Sequence, residues 1–140
     1  MISYLKGKII SKGENFIVIE THGIGFKTFL SPKDLEKISE GETRKMHCFL
    51  YLKRETIELY GFLDENQLEF FKKLEELSGI GPKTALLLAP FGSLEVLQGV
   101  LGERQAGLIK GIGMKKLQRI ITKLDENSKK TGKKDFSKSI

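Results

Sequence analysis

The most distinctive chemistry in this sequence lies in a short pattern that occurs twice. Residues 77–83 read LSGIGPK, and residues 109–115, starting 32 positions later, read IKGIGMK. Each copy has an apolar residue, a spacer, Gly-Ile-Gly and then a lysine two positions further on. The apolar periodicity on either side predicts flanking helices, so each copy is a helix-hairpin-helix pattern.

A hairpin of this kind can bind a phosphate group through its backbone. The glycines allow a sharp turn with no side chain in the way, and the isoleucine between them is expected to point inward. The first N–H groups of the following helix have no partner within the helix and lie at its partly positive end, where a phosphate oxygen can accept from them. Binding should therefore be nearly independent of base sequence and strongly dependent on salt.

The candidate DNA-binding residues are those of the two hairpins and the cations that follow them. A single Gly-Ile-Gly between helices would more often be a plain turn, whereas two copies with the same flanking chemistry favour DNA. The pattern is not a dinucleotide fingerprint, because no strand precedes it and no third glycine follows at the right offset. The predicted contacts are Gly79, Ile80, Gly81, Lys83, Gly111, Ile112, Gly113, Lys115, Lys116 and Arg119.

Helical periodicity over residues 64–125 predicts an all-α unit that positions both hairpins. Asp64 with Gln67 three residues later resembles a capping box, and Ser93 is a second N-cap candidate. A short helix is expected around Ala106, and a last helix from about Met114 to residue 124.

Residues 1–63 instead predict strands, in short β-rich runs separated by turn residues. Ser31 followed by proline predicts one short helix between the third and fourth runs. Five strands and one helix suggest a small closed or partly open barrel, with a generic β-meander as the alternative. The runs are 2–10, 15–21, 26–30, 44–52 and 56–62.

Charge is weaker evidence for DNA than the motif. The chain of 140 residues carries a formal charge of +6, and residues 126–140 hold five basic and two acidic residues, which is half of that excess. This tail has almost no apolar content and is expected to be disordered. It suits a solubilising end as well as a nucleic-acid contact.

Several classes of protein are disfavoured by composition. No apolar run approaches membrane length and no signal peptide is evident, which predicts a cytoplasmic protein with no membrane partner. Cys48 is the only cysteine, and the histidines are His22 and His47. We therefore expect no disulfide, no metal site and no cofactor.

The order of these motifs resembles the RuvA family of Holliday-junction-binding proteins. The residues that carry the resemblance are the opening MISYLKG, Gly23-Ile24-Gly25-Phe26, Leu59-Tyr60-Gly61-Phe62 and the two glycine hairpins, and it covers about residues 1–124. The resemblance implies an N-terminal OB-fold barrel (1–63) that forms a homotetramer or octamer at the junction centre. It also implies a helical domain (64–125) with tandem helix-hairpin-helix motifs that grips the arms.

The resemblance further implies an acidic pin on the last hairpin of the barrel. Glu55, with Arg54 before it, matches the first of two family acids, Thr56 replaces the second, and Glu58 is a candidate support. The family also has a third domain that contacts RuvB, a ring ATPase, whereas about sixteen polar residues follow Leu124 here. Either the chain was cut or it lacks that coupling.

Three functions stay open at this point. The first is a non-enzymatic junction binder that serves a branch-migration motor in recombination and repair. The second is a general duplex or single-strand DNA-binding module. The third is an accessory domain of a structure-selective nuclease, although the acidic residues show no metal-ligand spacing.

Overall fold

Strands dominate the first half of the computed structural model, which describes residues 1–102, 109 and 111–138, with the backbone alone for 130–138. A short helix, α1 (Pro32–Leu35), lies between the third and fourth strands. The strands are β1 (Tyr4–Lys12), β2 (Phe16–Thr21), β3 (Ile24–Phe29), β4 (Thr43–Lys53) and β5 (Thr56–Phe62).

The five strands close into a barrel in the order β1-β2-β3-β5-β4. All neighbours pair antiparallel except β3 and β5, which are parallel. Side chains alternate between a buried interior and the outer face, as the period of a strand requires. Leu5, Ile9, Ile17, Ile19 and Met46 form the centre of the interior. The predicted five-stranded barrel of OB-fold type is confirmed.

The first strand lies two residues further along the chain than predicted. Its pairing with β4 begins only at Tyr4, opposite His47. An irregularity between Ile9 and Ser11 shifts the register against β2, so that pairing continues to Lys12. A β-bulge of this kind inserts a residue without ending the strand, and a sequence pattern with a strict period of two does not reveal it.

The second half is helical, with α2 (Glu65–Glu75), α3 (Pro82–Leu88), a 3₁₀ turn (Ala89–Phe91), α4 (Leu94–Gly102) and α5 (Met114–Lys138). The predicted N-caps are present, but Gln67 does not complete a capping box, because its side chain donates to Asp34 and its Oε1 has no partner among the described residues. The Asp64 carboxylate accepts from the N–H of Gln67 at 2.8 Å, and Ser93 Oγ accepts from the N–H of Val96 at 3.2 Å. The helix expected around Ala106 lies outside the described residues, apart from Ile109.

The last helix is longer than predicted. The sequence predicts a disordered segment after residue 125, whereas the backbone of α5 continues as helix to Lys138. The cause is propagation from a well-packed first half, because adding one residue to an existing helix costs far less than starting a new one. Lys129 also pairs with Asp125 one turn earlier, at 3.5 Å.

An aromatic cluster joins the barrel to the helices. Phe71 of α2 is fully buried, and its ring centroid lies 5.2 Å from that of Phe49, 5.6 Å from Tyr60 and 4.9 Å from Phe62. The first partner is on β4 and the other two are on β5. Tyr60 and Phe62 thus belong to the core of the helical half, which is continuous with the outer surface of the barrel.

Candidate nucleic-acid interface

The two glycine hairpins have the same backbone geometry. The first glycine of each, Gly79 and Gly111, has a positive φ, of 80° and 91°. The N–H of the isoleucine that follows donates to the carbonyl of the apolar residue three positions earlier, at 3.2 Å in both copies (Ile80 to Leu77, Ile112 to Ile109). The sequence repeat is therefore a structural repeat, and glycine is required at these two turns by the left-handed backbone.

The second glycine of each hairpin has a different role from the one expected. Neither Gly81 nor Gly113 has a positive φ, so the turn itself does not require them. A Cβ added at either position would meet no atom within 4 Å. The missing side chains leave open space on the outside of the hairpin, where the backbone can be approached closely.

Free backbone donors follow directly after each open glycine. The first backbone hydrogen bond of α3 is donated by Ala85 to Gly81 at 3.1 Å, and that of α5 by Leu117 to Gly113 at 3.0 Å. The preceding helical N–H groups, including those of Lys83 and Lys115, have no intrahelical acceptor. Gly81 offers α3 no side-chain cap, so these donors remain available to an anion.

The predicted side chains divide into two groups. Lys83, Lys115 and Arg119 are exposed beside the hairpins, whereas Lys116 is half-buried and its Nζ donates to Thr84 Oγ1 at 3.3 Å. Ile112 is buried as expected, and Ile80 is half-buried against the same core.

Sequence reasoning missed Lys123. This residue lines a shallow groove on α5 with Lys115 and Arg119, and its Nζ donates to the carbonyl of Ser78 in the first hairpin at 2.7 Å. The three basic residues are four positions apart, which is the spacing of one helix face. That periodicity was the signal that could have found it.

The predicted pin residues lie on the β4–β5 hairpin but do not cluster at its tip. Arg54, with φ of 55°, and the exposed Glu55 form the two-residue turn. Glu58 is half-buried three residues further along β5 and accepts a hydrogen bond from the Tyr60 hydroxyl. Glu55 is therefore the carboxylate that projects from the turn, and Glu58 is held back on the strand.

Other chemistry is weakly supported in the described part of the chain. Burial raises the pKa of the Cys48 thiol to about 12, so its reactive thiolate is scarce at neutral pH. No group of three potential metal ligands occurs among the described residues. Within that same portion no single helix could cross a membrane, although the bent pair Pro82–Phe91 and Leu94–Gly102 has the length and composition when taken together.

Comparison with known proteins places the sequence in one family. Residues 1–61 match the model of the RuvA N terminal domain. The chain is 35% identical over 133 residues to the Holliday junction branch migration complex subunit RuvA of Cytophaga hutchinsonii, covering 93% of this chain and 67% of that protein. The proteins of the same name from Acetivibrio thermocellus and Phytoplasma mali are 33% and 38% identical, over 99% and 89% of this chain and 71% and 67% of theirs. The chain belongs to the RuvA family.

Proposed function

We propose that this chain is a non-catalytic subunit that binds four-way (Holliday) DNA junctions without base-sequence specificity. The observation that carries the proposal is the duplicated hairpin, in which an open glycine and free helix N–H groups recur with matched geometry. The names of the related proteins support the junction as the substrate. Four or eight copies would assemble on one junction.

Each hairpin contributes to affinity but not to base selection. Phosphate oxygens accept from the free N–H groups at the starts of α3 and α5, and Lys83, Lys115 and Arg119 supply positive charge around them. Because Gly81 and Gly113 carry no side chain, the DNA backbone reaches the amides directly. Two hairpins in one chain would bind phosphates at two places on the same arm.

The barrel would lie at the centre of the junction in this proposal. Glu55 projects from the β4–β5 turn, and its carboxylate repels the phosphates of strands that cross there. Since Thr56 stands where a second acid is expected, each copy contributes one pin carboxylate. Branch migration itself would need a RuvB-type ATPase, because the sequence contains no nucleotide-binding motif.

A competition experiment tests the substrate. A labelled four-way junction is bound by the protein and then competed with unlabelled junction or with linear duplex of the same arm sequence. We expect linear duplex to compete about tenfold less well or worse. Equal competition would indicate the general DNA-binding module instead, and cleavage of the junction in Mg²⁺ would indicate a nuclease.

Glycine variants test the hairpins themselves. Gly81→Val and Gly113→Val add side chains into open space at the starts of α3 and α5, so the free energy of unfolding should fall by only about 1 kcal/mol, from the poorer N-cap residue, while junction binding weakens by about tenfold or more. Gly99→Val is the matched control, because it also meets no atom within 4 Å but lies in α4. Unchanged binding by both hairpin variants would contradict the proposed contact.

A further inference from the structure

Lys123 lies on α5, the helix that follows the second hairpin, but its side chain contacts the first hairpin. Its Nζ donates to the Ser78 carbonyl at 2.7 Å, across 45 residues of sequence. The same Nζ lies 3.6 Å from the position of a Cβ added to Gly79, the residue with φ of 80°. The ammonium group is therefore engaged by the backbone of the turn, and the residue is half-buried.

A second contact joins the two copies of the repeat directly. Thr84 and Lys116 are 32 residues apart and occupy the same position in the two copies, and Lys116 Nζ donates to Thr84 Oγ1 at 3.3 Å. Contact between equivalent residues is what results when two copies face each other across a local two-fold axis. This hydrogen bond thus joins α3 and α5 near their N-terminal ends.

The remaining cations of the interface show the opposite arrangement. Lys83, Lys115 and Arg119 are exposed, and the part of the chain that the structure describes offers their side chains no hydrogen bond or ion pair. Among the described residues, Thr84, Lys116 and Lys123 are therefore hydrogen-bonded within the protein, whereas Lys83, Lys115 and Arg119 are not.

We propose that Lys123, together with the Lys116–Thr84 pair, positions the two hairpins and does not itself contact phosphate. Two hairpins can bind one duplex together only if their amides are held at the spacing of its phosphates. Fixing that spacing before binding lowers the entropic cost of association. This inference rests on the proposed DNA binding and assigns Lys116 a role different from the predicted one.

Salt dependence separates a positioning residue from a phosphate contact. Each lost phosphate contact should reduce the slope of log affinity against log salt by about 0.9. We expect Lys115→Met to show that smaller slope. Lys123→Met should weaken junction binding about three- to tenfold with the salt slope unchanged. Thr84→Val, which does not alter the charge of the chain, should have the same effect.

Two control variants complete the series. Lys123→Arg keeps a donor and a charge and should restore most of the affinity. Lys129→Met removes an equal charge from α5 at an exposed pair with Asp125 and should leave affinity nearly unchanged. A reduced slope for Lys123→Met, or affinity equal to the parent chain, would overturn the inference.

Amide exchange of the DNA-free protein tests the hydrogen bond from Lys123 to Ser78 independently of the proposed function. Lys123→Met should speed hydrogen exchange at the Ile80 amide about three- to tenfold, and Lys129→Met should not. If the parent chain bound no DNA, the proposed function would fail, but hydrogen exchange would still show whether Lys123 stabilises the first hairpin. Equal hydrogen exchange at the Ile80 amide in the parent chain and in Lys123→Met would refute the role of Lys123 in the first hairpin, even if DNA binding were confirmed.

Discussion

At the scale of single residues, one buried carboxyl links the barrel to the helices. Asp34 of α1 is 1% exposed, and Gln67 Nε2 of α2 donates to its Oδ1 at 3.4 Å. Burial raises the pKa of Asp34, a nearby Asp64 raises it further, and the Gln67 hydrogen bond, Lys37 and Lys33 oppose the shift. Gln67 Oε1 has no hydrogen-bond partner in the described part of the chain, so the contact between the two side chains is a single hydrogen bond.

The stability contribution of Asp34 should therefore depend on pH. A carboxyl whose pKa is higher in the folded state than its unfolded value of 3.8 stabilises the fold most when it is protonated. That contribution is lost as pH rises from the unfolded pKa through the folded one. Urea unfolding of the parent and Asp34→Asn at several pH values should show the variant gaining relative stability over this window. A difference that does not vary with pH would contradict the raised pKa.

Glu55 gives a second prediction at this scale. Glu55→Gln removes a negative charge from the turn of the β4–β5 hairpin, so repulsion of junction phosphates should fall. We expect about two- to fivefold tighter junction binding at low salt, with less unpairing of the central bases, as reported by a fluorescent base analogue. Glu14→Gln, at an exposed position between β1 and β2, is the control. Parent-like binding and unpairing would rule out the pin.

At the scale of elements, α2 is the connection between the two halves. Phe71 packs against aromatic rings from both β4 and β5, so its removal leaves a cavity at the centre of the aromatic cluster. Phe71→Ala should lower the free energy of unfolding by about 3–5 kcal/mol. Phe16→Ala, at a half-buried position on β2, should cost clearly less in the same denaturant titration. Equal losses would show that the cluster has no special role.

The elements also show which features the sequence predicts. The bounds predicted for β5 match the observed Thr56–Phe62, because the predicted turn at Lys53-Arg54-Glu55 and the helix start at Asp64 limit the strand on both sides. The extension of α5 was missed because the composition of residues 126–140 says nothing of the helix that precedes them. The Gly-Ile-Gly repeat was visible in sequence, whereas the contact from Lys123 to Ser78 depends on the packing of α5 against a hairpin 45 residues away.

At the scale of the whole molecule, the fold combines two surfaces in one chain. The barrel presents Glu55 at a projecting turn, and the helical half presents two hairpins with free backbone donors. Because the aromatic cluster joins the halves, the hairpins are held in a defined relation to the turn. In the proposed complex, this arrangement would occur four times, once for each arm of the junction.

The number of copies bound to one junction tests the proposed platform most directly. The mass of the complex with a four-way junction can be measured by native mass spectrometry, with each chain adding 15.8 kDa. The proposal predicts four or eight chains per junction. Complexes with four or eight chains should not form on linear duplex of the same arm sequence. Single chains that add independently to each arm, with the same affinity for duplex, would contradict it.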